Sequence, residues 1–94
     1  MACRIQWTSL ALKDLGEIRE FIQRDKPIAA KSEARRIKKS VERLSSFPQS
    51  GHFLGKIPSV REIVSGNYHI YYRIHGRQVE ILRIYHGRRS IVFA

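Results

Sequence analysis

The hydrophobic periodicity of this chain changes once, at residues 45–58, and that change constrains the fold more than any other feature. Before it, apolar side chains recur every three or four residues, as on a helix; after it, β-branched and aromatic residues form runs separated by tight turns. Residues 45–58 carry two prolines, two glycines and three serines, which is typical of an irregular link. Because 94 residues are too few for two cores, a helical half and a sheet half are expected in one domain, residues 1–94.

Two helices are predicted before the link. The first covers roughly residues 9–24, with Thr8 or Ser9 as its N-cap, and its apolar stripe consists of Ala11, Leu15, Ile18 and Ile22. Its acidic residues, Asp14, Glu17 and Glu20, lie off that stripe. The second begins at Pro27, which suits a first helical turn, and its stripe consists of Ala30, Ala34, Ile37, Val41 and Leu44. The short connection at residues 24–26 predicts an antiparallel helical hairpin.

The remaining segments predict strands. Residues 3–7 alternate at period two, and residues 60–65, 68–74 and 78–86 form three β-rich runs joined by short turns. The expected fold class is α+β, with an N-terminal strand and the helical hairpin packed on one face of a three- to four-stranded, mostly antiparallel sheet.

Alternation also predicts which side chains face the helices. In residues 68–74 the set directed toward the helices is Tyr68, Ile70, Tyr72 and Ile74. The opposite face then carries His69, Tyr71 and Arg73. In the last strand the same rule places His86 on one face with Leu82 and Ile84, and Arg83 with Tyr85 on the other.

The charge balance points to a polyanionic partner. Eighteen Lys and Arg residues against eight Asp and Glu give a net charge of +10, which suits nucleic acid, an anionic membrane surface or an acidic protein. The single cysteine excludes an internal disulfide and a Cys-rich zinc site, and we expect neither a metal nor a cofactor. No apolar stretch is long enough for a membrane span or a signal peptide, so a cytoplasmic protein is expected.

The second helix concentrates this charge. Residues 31–43 hold six cationic side chains and two carboxylates. A charged helix face is commonly only solvated, but this density makes phosphate contact, through Arg35 and Lys39, a serious alternative.

Several segments together resemble a known family. The similarity runs over about eighty residues, through Trp7, the spacing Ala11-x-x-Asp14-Leu15-x-x-Ile18, PIAA at 27–30, LSSFPQSG at 44–51, VRE at 60–62, GNYHIYYR at 66–73 and ILRIYHGRR at 81–89. In order and spacing these segments resemble the RelE/ParE superfamily of toxins from bacterial type II toxin–antitoxin systems.

The resemblance implies a RelE/ParE-like fold and a cytoplasmic, growth-inhibiting toxin silenced by a small, acidic, partly disordered antitoxin. One branch of the superfamily cleaves messenger RNA in the ribosome, and the ParE branch poisons DNA gyrase by protein binding without catalysis. The helical hairpin and the ending at residues 82–89 favour the ParE branch. The net charge of +10 favours a ribosomal RNA environment, and on that ground ribosome-associated mRNA cleavage is the first hypothesis and gyrase poisoning the alternative.

The candidate catalytic residues come from this resemblance. Metal-independent RNA cleavage needs a general acid or base among cations that stabilise charge on the phosphorus. His69 and Arg88 stand where ribonuclease members of the family have arginines, and Arg61 resembles a basic residue that those enzymes keep nearby. Those enzymes often carry a C-terminal tyrosine or histidine for proton transfer, where this chain has residues 91–93, IVF. His86 is the expected substitute, unless it only caps the core.

Further candidates would bind RNA without doing chemistry. On the open sheet face, Arg73 could instead be solvated or contact the antitoxin. The predicted RNA-binding residues are Arg73, Arg83, Tyr71, Arg89, Arg35 and Lys39.

Overall fold

The computed structural model describes residues 2–25, 27–54 and 57–87 and has the predicted α+β fold. Its elements are, in chain order, β1 (Arg4–Trp7), α1 (Ser9–Asp25), α2 (Pro27–Arg43), a short 3₁₀ helix (Pro48–Ser50), β2 (His52–Leu54), β3 (Ile57–Ser65), β4 (Tyr68–His75) and β5 (Gln78–His86). In this part of the chain, neither helix has the length and apolar character needed to cross a bilayer.

The strands form one sheet in the order β1-β5-β4-β3-β2. β1 runs parallel to β5, and the other neighbours are antiparallel. In the part of the chain that the structure describes, the sheet has five strands where three to four were expected, because β2 lies inside the segment predicted to be irregular. That short strand pairs with β3 through His52 opposite Glu62 and Phe53 opposite Arg61.

The first helix is attached to the sheet at its N-cap. The backbone N–H of Ala11 donates to Oγ1 of Thr8 (3.1 Å), so of the two candidate caps Thr8 fills the role. The same hydroxyl donates to the carbonyl oxygen of Ile81 (2.7 Å), which fixes the start of α1 against β5.

Both helices bury their predicted stripes against one face of the sheet. The described stripe residues that enter the core fully are Ala11, Leu15, Ala34, Ile37, Val41 and Leu44, while Ile18 packs against it half-buried. The side chains of Ile22 and Ala30 lie outside the described residues. From the sheet, the core receives Tyr68, Ile70, Tyr72, Val79, Ile81 and Ile84, which confirms the predicted direction of β4.

A β-bulge in β5 changes the predicted faces. Tyr71 lies opposite Arg83 but Tyr72 lies opposite Ile81, so Leu82 is an extra residue. A bulge interrupts the alternation of side chains, and Leu82 therefore packs with Tyr71 on the face away from the helices while Ile84 enters the core. The expectation that His86 shares a face with both Leu82 and Ile84 is wrong for Leu82.

Candidate functional site

The face of the sheet away from the helices carries a compact polar and aromatic cluster. Strand register brings Glu62, Tyr71 and Arg83 into one row across β3, β4 and β5, and puts His69 beside Tyr85 in the next row. We call these five residues the open-face cluster. Tyr71 and Tyr85 are only 3% and 7% exposed, although no described helix covers this face.

The cluster is held by contacts among its own members. Nδ1 of His69 is shielded from solvent and lies 3.4 Å from Oε1 of Glu62. The His69 and Tyr71 rings are stacked with centroids 6.4 Å apart, and the Tyr71 and Tyr85 rings are 5.9 Å apart. The guanidinium carbon of Arg83 lies 4.7 Å from the centre of the Tyr85 ring, a cation–π contact.

Burial and charge alter the acidity of this cluster. Burial, together with a hydrogen bond to the Glu62 carboxylate, raises the pKa of the Tyr71 phenol above its ordinary value. At neutral pH the phenol carries its proton, as an ordinary tyrosine does, and donates it to the Glu62 carboxylate in a hydrogen bond. An imidazole beside a carboxylate can accept or pass a proton. Arg83, in contact with the Tyr85 ring, brings a positive charge to the same face of the sheet.

Asp14 fixes Arg83, and sequence reasoning missed this. The carboxylate accepts from Nε and Nη2 of Arg83 (2.8 and 3.1 Å) and from the backbone N–H of Ile84 (3.0 Å). The Asp14 carboxylate therefore satisfies a backbone N–H of β5 beyond Ile81, where the pairing of β5 with β1 ends. The hydrogen bond to Asp14 raises the pKa of Arg83. Two signals are present in the sequence: Asp14 lies one residue from the apolar stripe, and it belongs to the spacing Ala11-x-x-Asp14-Leu15-x-x-Ile18 that carries the family resemblance.

Arg61 lies on the covered side of the sheet, not in the open-face cluster. Its Nη1 donates to the carbonyl oxygens of Gln49 (3.3 Å) and Gly51 (3.0 Å), and its guanidinium carbon lies 3.8 Å from the centre of the exposed Phe53 ring. Arg61 therefore holds the loop before β2 in place.

His86 also lies apart from His69. It is paired in register with Tyr68, a core residue, and its ring meets that of Tyr68 edge-on at 5.2 Å. The two candidate histidines thus belong to opposite faces of the sheet. Arg88 and Arg89 lie outside the described residues.

The predicted RNA-binding residues fall in three places. Tyr71 and Arg83 belong to the open-face cluster. Arg73 is on the same face but is ion-paired with Glu80 on the neighbouring strand. Arg35 and Lys39 are exposed on α2, which packs on the other face of the sheet.

The described residues therefore bring His69, Tyr71 and Arg83 together and leave His86 and Arg61 elsewhere. Glu62 and Asp14 join the assembly without having been predicted. Across residues 2–25, 27–54 and 57–87 no three His, Cys, Asp or Glu side chains gather as they would around a metal ion.

Comparison with known sequences identifies a family. The profile of the family described as "ParE toxin of type II toxin-antitoxin system, parDE" matches residues 5–91. The chain is 43% identical over 89 residues to Y4kP of Sinorhizobium fredii, covering 93% of this chain and 91% of that protein. It is 34% identical over 87 residues to the toxin RelE2 of Caulobacter vibrioides, covering 92% of this chain and 97% of the other.

Solved structures share the fold. A chain of the chromosomal ParDE toxin–antitoxin system of P. aeruginosa superposes with a TM-score of 0.82 at 23% identity, covering 93% of this chain and 98% of its own. A chain of the RelBE2 toxin–antitoxin complex of Mycobacterium tuberculosis gives 0.69 at 23% identity, with 92% and 99% covered. A mutant of the E. coli toxin RelE in the free state gives 0.64 at 17% identity, with 89% and 82% covered.

Proposed function

Because this chain belongs to the ParE toxin family of type II toxin–antitoxin systems, we propose that it inhibits growth by binding DNA gyrase, without chemistry of its own. Gyrase as the target follows from the family resemblance. The observation that supports the non-catalytic part is that, among the described catalytic candidates, His69 lies on the opposite side of the sheet from His86 and Arg61.

This separation matters because metal-independent RNA cleavage requires several groups to reach one phosphate. A general acid or base must come within hydrogen-bond distance of the proton that it moves. His69 and His86 lie on opposite faces, and Arg61 lies on the covered side, where its guanidinium contacts the loop before β2. Such an arrangement favours a toxin that binds a protein surface. For this reason gyrase poisoning is the first candidate, and ribosome-associated mRNA cleavage, which the net charge of +10 favoured, is the second.

A cognate antitoxin is the second partner in this proposal. Two of the structural neighbours come from a ParDE toxin–antitoxin system and a RelBE2 toxin–antitoxin complex. A domain with a net charge of +10 suits a small, acidic, partly disordered segment that folds on binding. Toxin, antitoxin and gyrase would meet in the cytoplasm.

Ribosome-associated mRNA cleavage is the second candidate, and the open-face cluster is the observation that favours it. In that case His69 would move the proton, assisted by Glu62, while Arg83 would stabilise charge on the phosphate. Tyr71 would stack or donate beside them, and Arg73 would contact RNA. In this candidate Arg88 and Arg89 keep their predicted roles.

A pair of reconstituted reactions tests the choice. Purified gyrase with supercoiled DNA should accumulate linear DNA when the toxin is added, and the cognate antitoxin should prevent it. Purified ribosomes programmed with a defined message should leave that message intact at stoichiometric toxin. A cut message together with unbroken DNA would reverse the order of the two candidates.

Two histidine variants sharpen this result. His69→Ala removes the proton-moving group, and His75→Ala is the matched control because His75 is exposed at the end of the same strand. If gyrase is the target, both variants should still produce gyrase-dependent breaks. If the protein is a ribonuclease, only His69→Ala should lower message cleavage, by about 10²- to 10⁴-fold.

A further inference from the structure

The outward face of α2 carries positive charge that the fold does not use. α2 buries Ala34, Ile37 and Val41 against the core, and at 3.6 residues per turn the opposite positions point to solvent. These positions, which we call the basic face, are Ser32, Arg35, Arg36, Lys39 and Arg43, and all five are exposed.

The two carboxylates of this part of α2 lie on its flanks. Glu33 points toward the sheet. Burial raises the pKa of the Tyr68 phenol, and the negative charge of Glu33 adds to this rise. Oε1 of Glu33 is also 3.5 Å from Nη1 of Arg36. Glu42 lines a groove with Trp7 on the other flank. The other three cations of the basic face are Arg35, Lys39 and Arg43. Among the described residues, none of them has a carboxylate partner within 4.0 Å.

The basic face forms a shallow groove of about 430 Å³. Its lining consists of Ser32, Arg35, Arg36, Lys39, Ser40 and Arg43. Every one of these side chains can donate a hydrogen bond, and none is acidic or apolar. Since an α-helix rises 1.5 Å per residue, Arg35, Lys39 and Arg43 are spaced about 6 Å apart along the helix.

We propose that the basic face of α2 binds the sugar–phosphate backbone of duplex DNA, so that the toxin contacts the DNA held by gyrase as well as the enzyme. This inference rests on the proposed function. Guanidinium and ammonium groups that neutralise phosphates release the counterions condensed on the DNA. Such contacts fix the position of a protein on the duplex without reading its base sequence.

The composition of the basic face favours a duplex over other occupants. Single strands are held largely by aromatic stacking, and the basic face contains no aromatic side chain. A protein partner would need an apolar centre within a polar rim, and the basic face contains no apolar side chain either. The occupant that its chemistry fits is a regular array of phosphates.

Salt-dependent binding to a labelled mixed-sequence DNA duplex, measured by fluorescence anisotropy, tests the proposal. The variant neutralises the three cations without acidic partners and keeps good helix formers: Arg35→Gln, Lys39→Gln and Arg43→Gln. Losing three phosphate contacts should reduce the slope of log K against log [salt] by about 2.7. Between about 50 and 200 mM salt, the wild type should therefore lose about 40-fold more affinity than the variant.

A matched control removes the same charge from exposed positions elsewhere. It carries Arg4→Gln, Lys13→Gln and Arg19→Gln, which lie on β1 and α1. The control should keep the wild-type slope, and circular dichroism should give the same helix content for all three proteins. An equal slope for wild type and the α2 variant, or an equal reduction in both variants, would overturn the proposal.

Other ligands and a gyrase assay separate the remaining outcomes. If the α2 variant loses affinity for single-stranded RNA or for the antitoxin while its DNA slope is unchanged, the basic face has a different occupant and the proposal is wrong. If the DNA slope falls as expected but wild-type toxin never produces gyrase-dependent breaks, the proposed function fails while the DNA site stands.

Discussion

The two faces of the sheet achieve burial in different ways. The covered face is buried by a second layer, the helical hairpin, and its buried core is mostly apolar, with Ile70 and Ile81 at 0% exposure, while Arg61 and His86 lie at its margins. The open face has no described second layer. There Tyr71 and Tyr85 are buried by their neighbours in the same layer, and these include the charged Glu62 and Arg83.

This difference separates stability from function. An apolar layer between sheet and helices contributes stability through area removed from water, so substitutions there should act on the free energy of unfolding. On the open face several polar groups contact one another, and Glu62, His69 and Arg83 are only half-buried. Substitutions there should act mainly on hydrogen bonding and protonation, which are the properties that binding or catalysis would use.

The largest expected effect is a cavity on the covered face. Ile70→Ala should lower the free energy of unfolding by about 2–5 kcal/mol, because the rigid packing around it cannot close the space. Val64→Ala is the control on the other face, since Val64 is 58% exposed, and it should change stability by less than about 0.5 kcal/mol. Urea denaturation measures both, and equal losses would mean that the two faces do not differ.

A smaller effect is expected where the two faces are joined. Asp14→Asn removes the carboxylate that accepts from Arg83 and from the Ile84 backbone, and should cost about 1–3 kcal/mol. Glu20→Gln, on the exposed side of the same helix, should be close to neutral. Urea denaturation measures both variants, and equal midpoints for Asp14→Asn and the wild type would show that the Asp14 contacts contribute nothing measurable to stability.

The smallest expected effect is confined to alkaline solution. Tyr71 has a pKa raised by burial and by its hydrogen bond to Glu62, while the unfolded phenol titrates near its ordinary value of about 10. The native protein therefore binds more protons than the unfolded chain above that pH, so stability falls as pH rises through this range. Denaturation midpoints for Tyr71→Phe should fall less steeply with pH than those of the wild type.

Two other buried phenols contribute to the same alkaline loss of stability. Burial also raises the pKa values of Tyr68 and Tyr72, so part of the decline should remain in Tyr71→Phe. If Tyr71→Phe declines as steeply as the wild type, the raised pKa of Tyr71 contributes nothing measurable to the alkaline loss of stability.

Most of the fold could be predicted from the sequence because its elements have clear periods. The stripe through Ile37 and Val41 has helical spacing, and the alternation through Ile70 and Tyr72 has strand spacing; both are buried as expected. The segment containing His52 was harder, because three residues beside prolines and glycines carry too short a pattern to identify as a strand.

The candidate site was only partly predictable. The alternation correctly put His69 and Tyr71 on one face, away from the helices. It could not bring Glu62 to them, since that depends on the register between β3 and β4, and it wrongly grouped Leu82 with Ile84. A single inserted residue in β5 causes that error, and a bulge has no signature in a period-two pattern.

The sequence by itself determined the local order of this protein: two amphipathic helices, then a meander, with a dense basic face on the second helix. These properties depend on spacing along the chain, which any reader of the sequence can count. Only the tertiary structure decided that β1 lies parallel to β5, that Leu82 leaves the face of Ile84, and that Asp14 holds Arg83. Asp14 and Arg83 are 69 positions apart, and a contact over that distance depends on how the whole chain packs.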